Sequence, residues 1–171
     1  AAEKGTLMHY VMLRLDFDRV GSVAEIKKQI EELVLNKSLT EKEAKVIRYT
    51  KIFNFFKSDL GKRILKAHEE GRMVHRELPF FTEISSLDIN PELNKEIYQN
   101  EKIRLQGIID GFFKEEDGIV LFDYKTDYLE EGNEDEIIER YMVQMKYYKE
   151  ALEKVTESRV KEVYLYLFAL D

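Results

Sequence analysis

Cysteine is absent from the chain, which excludes disulfides, zinc–thiolate sites and cysteine-held iron–sulfur clusters. Any metal must therefore be bound by oxygen and imidazole. With only two prolines and eight glycines, and no Pro-rich or Gly/Ser-rich tract, no flexible linker divides the sequence. Internal repeats are lacking as well. No apolar run approaches the roughly 18 residues of a membrane-spanning helix. The opening Ala1-Ala2-Glu3-Lys4-Gly5 is not a signal peptide, so a cytoplasmic protein without a membrane partner is expected. An initiator methionine is also missing, which points to a segment of a longer polypeptide. Basic excess is the last absence: 27 Lys and Arg against 34 Asp and Glu give a net charge of −7. A free-standing protein of that charge is poorly suited to capturing nucleic acid at long range.

What is present is apolar mass. With 44% hydrophobic and 12% aromatic residues over 171 positions, one core can form. Residues 1–171 are expected to make one domain, with a helical part over 1–71 and a sheet part over 72–171. Thr6 can cap a first helix carrying Leu7, His9, Val11 and Leu15. Ser22 with Glu25 and Thr40 with Glu43 fit the capping box, a hydroxyl followed three residues later by an acid. Ala44, Ile47, Ile52, Phe55 and Phe56 continue at helical spacing, and a further helix over 61–70 ends at Gly71.

Beyond Gly71 the period changes. Residues 73–82 read as a strand near an edge, because Pro79 interrupts them, and 85–100 read as a polar connection. Two strands follow, over 103–113 and 119–126, with Asp117-Gly118 between them as a type I′ turn. A helix over 135–155 and a strand over 160–170 close the chain, and this strand–helix–strand passage predicts a parallel crossover that buries the last strand inside the sheet. The expected class is α/β, a mixed β-β-β-α-β sheet preceded by helices.

A two-residue turn at Asp117-Gly118 sets Asp110 opposite Lys125 and diagonal to Asp123, with all three on one face. Apolar neighbours cover both faces here, and buried charges must be paired or bind a metal. One reading is a structural salt bridge between Lys125 and either aspartate, which leaves the other carboxylate alone. The closing helix shows an apolar stripe of Ile137, Tyr141, Tyr148, Leu152 and Val155, interrupted by Gln144, whose amide needs partners near those carboxylates. His9 sits on an apolar helix face, and strand alternation turns Glu77 to solvent. Lys57, Lys62, Arg63, Lys66, Arg72 and Arg76 form a basic cluster, read either as a strand guide or as a solvated face.

Five motifs occur in order: Gly-Thr-Leu-Met-His at 5–9, Arg-Glu-Leu-Pro-Phe at 76–80, Gly-Ile-Ile-Asp-Gly at 107–111, Asp-Tyr-Lys-Thr-Asp at 123–127, and Gln144 with Tyr148. Together they resemble the RecB-like nucleases of the PD-(D/E)xK, restriction-endonuclease-like superfamily. Within that superfamily the resemblance is greatest to the C-terminal nuclease domains of AddA/RexA-type helicase-nucleases. It implies that His9, Asp110, Asp123 and the backbone carbonyl of Tyr124 hold Mg²⁺ or Mn²⁺, that Lys125 is the catalytic lysine, and that Gln144 and Tyr148 assist it. It also implies that the first helix brings His9 within about 5–6 Å of both carboxylates, room for a cation.

The implied activity is metal-dependent exonucleolytic hydrolysis of DNA during end processing in double-strand break repair and recombination. Implied partners are DNA, a helicase part of the same polypeptide and a second, AddB/RexB-like protein. Because a tethered nuclease receives its strand at high effective concentration, the acidic charge is accommodated. The competing readings are a catalytically silent DNA-guiding or docking module of the same fold and a stand-alone RecB-like nuclease.

Overall fold

The computed structural model describes residues 2–89, 92–126 and 134–168. Helix α1 spans Ala2–Arg14 and α2 spans Val23–Leu35, joined through a short 3-10 turn at Phe17–Arg19. Helix α1 begins earlier than expected, so Thr6 lies within it rather than capping it; Ala2, Glu3 and Lys4 are good helix formers that extend the start. Ser22 caps α2 by accepting from the Glu25 N–H, and Thr40 with Glu43 forms the full capping box at the start of α3, Glu41–Ala44. The periodic segment after Thr40 is not one helix. It breaks at the β-branched pair Val46-Ile47, where the turn buries Ile47, and resumes as α4, Tyr49–Lys57. Helix α5, Asp59–Glu69, is capped by Ser58 and stops before Gly71, whose φ of 66° suits the exit.

The sheet contains β1 (Val74–Ser85), β2 (Lys102–Glu115), β3 (Gly118–Lys125) and β4 (Val160–Leu167), in the order β1-β2-β3-β4. The first two pairings are antiparallel and the third is parallel. Single-turn helices α6 (Ser86–Ile89) and α7 (Lys95–Tyr98) lie in the connection between β1 and β2. The long α8, Glu134–Thr156, makes the crossover from β3 to β4.

Two features of the sheet differ from expectation. Strand β4 is an edge strand, not an interior one: the crossover lays it beside β3, and no further strand covers its outer side among the described residues. Its faces are nonetheless apolar, with Tyr164 and Tyr166 toward one core and Val160 and Val163 toward the other. The hairpin loop is Glu116-Asp117, because Glu115 pairs with Gly118. Gly118, at φ 154°, begins β3 where a Cβ would meet the Arg159 carbonyl at 2.9 Å, so this glycine serves the close approach of β4 rather than the turn. Pairing therefore slides by two residues and keeps every side chain on its expected face.

Helices α1, α2, α4 and α5 cover one face of the sheet and α8 covers the other. On the first side Phe55, fully buried, meets Tyr124 and Tyr166 edge-on. On the second, Met145, Tyr148, Ala151 and Leu152 of α8 pack on Phe80, Ile109, Phe112 and Leu121. The buried stripe of α8 thus runs through Met145 and Ala151, while Val155 is exposed; Ile137 lies outside the described side chains. No helix among the described residues is long and apolar enough to cross a membrane.

Candidate metal centre

Pairing of β2 with β3 ends at Gly111↔Phe122, and one step further brings Asp110 beside Asp123, not opposite Lys125 as the expected turn required. The strands part here. In place of another backbone rung, the Asp110 side chain enters the gap and its Oδ2 accepts from the Tyr124 N–H at 2.6 Å. Two glycines make the local packing possible. A Cβ at Gly107 would meet the Phe80 ring at 2.7 Å and the Tyr148 hydroxyl at 3.3 Å, and one at Gly111 would meet the Phe122 ring at 2.1 Å.

Helix α1 delivers His9 to this gap. Its Nε2 lies 3.0 Å from Asp110 Oδ2 and 3.1 Å from the Tyr124 carbonyl oxygen. Both neighbours are acceptors, so without a cation Nε2 carries the proton and donates. Neighbouring ligands of an octahedral ion with bonds of about 2.1 Å stand about 3.0 Å apart, the spacing of Nε2 from each of the two oxygens. A cation would take the proton's place, leaving hydrogen on Nδ1.

Asp123 is 2% exposed, and its Oδ2 is a buried atom without a hydrogen-bond partner. Lys125 Nζ lies 2.5 Å from that oxygen, an ion pair by distance that lacks hydrogen-bonding alignment. Burial first and the neighbouring Asp110 charge second push the Asp123 carboxyl up to about 6, against the pull of Lys125 and His9. A buried carboxylate that a neighbouring carboxylate makes costlier to ionise belongs to a donor set short of positive charge. Among the described residues no trio of His, Asp and Glu side chains closes into a cation cage. The third donor atom, beside those of His9 and Asp110, is a backbone carbonyl oxygen, and Asp123 is held by Lys125. The oxygen-rich set with one imidazole fits a hard divalent cation that keeps part of its water.

Lys125 also donates to Gln144 Oε1 at 3.2 Å and lies 4.4 Å over the Tyr141 ring, while Gln144 Nε2 donates to the Tyr148 hydroxyl at 2.5 Å. The amide that interrupts the α8 stripe is therefore spent on holding Lys125. Burial pushes the Tyr148 phenol up to about 12, so it stays protonated as the end of that relay.

The structure thus brings His9, Asp110, Asp123, Tyr124, Lys125, Gln144 and Tyr148 to one end of the sheet. Asp127, the last residue of its motif, lies outside the described residues. Glu77 departs from the strand-alternation expectation. A φ of 52° turns it away from regular strand geometry, and it lines a cleft with His9, Arg76, Asp110 and Tyr124. It forms no hydrogen bond or ion pair with a described residue.

Half of the basic cluster is neutralised: Arg63 is engaged by Glu115 and Glu162, Arg72 by Glu70 and Glu116, and Lys66 by Glu70. Arg76 separates from the cluster altogether and reaches α1. Neither the left-handed Glu77 nor the reach of Arg76 has a signal in local sequence.

Among known proteins, the chain is 52% identical over its full length to the A subunit of the ATP-dependent helicase/nuclease of Clostridium perfringens (strain 13 / Type A), covering 14% of that protein. It is 52% identical over 170 residues to the protein of the same name from Clostridium beijerinckii, and 51% identical over 168 residues to that of Thermoanaerobacter sp. (strain X514). It spans about one seventh of the length of these curated relatives. The family model described as the PD-(D/E)XK nuclease superfamily matches residues 1–170. With that match running through both α1 and the parted hairpin, the chain belongs to the PD-(D/E)XK nuclease superfamily.

Proposed function

We propose that residues 1–171 form one divalent-cation-dependent deoxyribonuclease domain, an exonuclease that hydrolyses phosphodiester bonds as DNA ends are processed for double-strand break repair and recombination. The observation that carries this reading is a His9 nitrogen at cation-ligand spacing from the Asp110 carboxylate and the Tyr124 carbonyl, beside a buried Asp123 oxygen without a hydrogen bond. His9, Asp110, Asp123 and the Tyr124 carbonyl would hold Mg²⁺ or Mn²⁺. When bound, such an ion polarises a phosphate oxygen and makes a coordinated water more acidic.

Lys125 supplies a fixed positive charge. Its ammonium, fixed by Asp123 and Gln144, can hydrogen-bond the attacking water and offset charge developing on the phosphorus oxygens. Gln144 and Tyr148 restrict the rotamer of Lys125, so less orientational freedom is lost at the moment of reaction. Water oxygen joins phosphorus, one ester oxygen leaves, and the proton lost by water equals the one the leaving oxygen finally gains.

The relatives that the chain resembles are helicase-nucleases by name, and the same arrangement is proposed here: a motor in the same polypeptide, a second AddB/RexB-like protein, DNA as substrate and a cytoplasmic setting. A motor that feeds the strand into the cleft removes the need for a basic capture surface, in keeping with the −7 charge and the neutralised Arg63 and Arg72.

The Asp123–Lys125 ion pair also supports a second reading, a silent DNA-guiding module in which that pair is structural. End-labelled single- and double-stranded DNA incubated with Mg²⁺, Mn²⁺ or EDTA separates the two. Shortened products with either ion and none with EDTA are expected. No products under any condition, together with no saturable Mn²⁺ binding, would leave the silent module.

A further inference from the structure

One side chain of the sheet grips the end of α1. Arg76 Nη1 donates to the Leu15 carbonyl at 2.6 Å and to the Met12 carbonyl at 3.3 Å, and its guanidinium lies 4.4 Å from the Phe17 ring centre. The last carbonyls of a helix have no donor within the helix, and a cation there is also favoured by the helix dipole. Yet Arg76 forms no ion pair with a carboxylate among the described residues, and burial lowers its pKa from the usual arginine value. An apolar residue would fill this place without that cost. The guanidinium is therefore kept for direction rather than for burial.

The backbone of Arg76 pairs with Gly111, the residue after Asp110. The next residue, Glu77, takes φ 52°, and this left-handed step breaks the alternation of the strand. Arg76 consequently reaches the α1 side of the sheet while Leu78 packs in the α8-side core, although residues two apart ordinarily share a face. For an L residue such a step is unfavourable. It allows one strand to support α1 above and fill the core below.

Helix α1 has other anchors: Val11, Met12 and Leu15 are buried in the core. Apolar burial is non-directional, so these contacts set the depth of the helix better than its rotation or axial position. The His9 nitrogen has to be placed within a few tenths of an ångström, and Met12 follows it by three residues, close to one turn. A hydrogen bond to the Met12 carbonyl fixes both rotation and axial position.

We propose that Arg76 is the positioning residue for His9, a strut from the rung beside Asp110 to the last turn of α1 that seats the imidazole against the Asp110 carboxylate and the Tyr124 carbonyl. The inference rests on the metal-centre reading above and adds to it how the centre is assembled from two distant parts of the chain.

A double-mutant cycle on this chain, read by calorimetric titration with Mn²⁺ alone, tests it. Arg76→Gln should bind Mn²⁺ about tenfold more weakly than the unaltered chain, the usual scale for losing a group that orients a ligand. In a His9→Ala background the same change should alter affinity by less than about twofold, because no imidazole remains to be misplaced. Equal losses in both backgrounds would make Arg76 a general support of the fold, and no loss in either would make it irrelevant; each result overturns the proposal. Should Arg76→Gln not fold, Arg76→Lys keeps the charge but not the fork, and the same His9-dependent loss, about threefold, is expected in the cycle. Failure of the unaltered chain to bind Mn²⁺ saturably would overturn the metal-centre reading itself and this inference with it. Unaltered-chain binding that survives Arg76→Gln would overturn this inference alone.

Discussion

At the turn end of the β2–β3 hairpin, Arg63 meets Glu115 at 2.8 Å and Glu162 at 2.7 Å, and Lys161 meets Glu115 and Asp117 at 2.5 Å each. At the open end of the same hairpin, Asp110 is met by His9 and Asp123 by Lys125, and one carboxylate oxygen is left without a hydrogen bond. The Arg63 hydrogen bonds hold the Glu115 carboxyl down to about 2, whereas burial and Asp110 push the Asp123 carboxyl up to about 6. Opposite shifts on one pair of strands mark two uses of charge. At the turn end the charges complete one another and tie α5 to the sheet. At the open end the buried Asp123 carboxylate keeps an oxygen without a hydrogen bond, the deficit that the proposed cation would offset.

The largest effect should come from removing the deficit. Asp123→Ala is expected to reduce DNA cleavage by at least about 10³-fold while leaving the cation-free melting midpoint unchanged or higher, because a buried, repelled carboxylate disappears. Saturating Mn²⁺ should raise the midpoint of the unaltered chain and not that of the variant. A large fall in midpoint without cation would instead make Asp123–Lys125 a structural pair and erase the contrast between the two ends.

Lys125→Ala comes next: about 10²-fold slower cleavage with Mn²⁺ binding retained, measured by single-turnover assay and calorimetry. An unchanged rate would remove Lys125 from the chemistry. Arg63→Ala should do the reverse, lowering stability by about 1–2 kcal/mol, a value discounted because Glu162 is partly solvent-screened, and changing cleavage by less than about twofold. Chemical denaturation and the same nuclease assay would show whether the turn end matters only to the fold.

The smallest effect, and the sharpest test of sign, is in pH. Glu115, with its folded pKa depressed, contributes stability that is present above its unfolded value and lost as pH falls through about 2. Asp123, with its folded pKa raised, acts the other way: between the ordinary aspartate value of about 4 and its raised value of about 6 the cation-free fold holds the proton more tightly, so stability declines as pH rises through that window. Melting midpoints from pH 2 to 7 in EDTA should show Glu115→Gln flattening the acid limb and Asp123→Asn flattening the decline above pH 4. Coincident curves for the two variants would mean that the two ends do not differ as argued.

Much of the open end was legible in the sequence because it depends on local spacing. Asp110, Asp123 and Lys125 share a hairpin, and the face of each survived the two-residue slide of the turn, since a slide of two preserves the alternation of a strand. The turn itself was misplaced because Gly118 serves the approach of Arg159, a contact made 41 positions along the chain that no dipeptide rule contains. Gln144 was legible as an amide out of place on an apolar stripe, and it does hold Lys125. The place of His9 came from resemblance alone, and the parts played by Arg76 and Glu77 were not readable: an arginine in a basic run looks solvated, and a left-handed glutamate inside a strand has no sequence signature. The neutralised turn end was read as a basic cluster because its acidic partners, Glu115 and Glu162, come from other strands.

The imidazole of His9 and the carboxylate of Asp110 are 101 residues apart in sequence. Closing a loop of that length is slow compared with forming a hairpin or a helix, and its entropic cost must be met before the contact gives anything back. During synthesis or refolding, α1 and the β2–β3 hairpin can each form early by local contacts, but neither alone presents the complete donor set. A partly folded chain is thus expected to carry little cation affinity and little power to cut, and activity arrives only with the docking of α1. For the deoxyribonuclease proposed above, the distance between those two residues would act as a check on maturation.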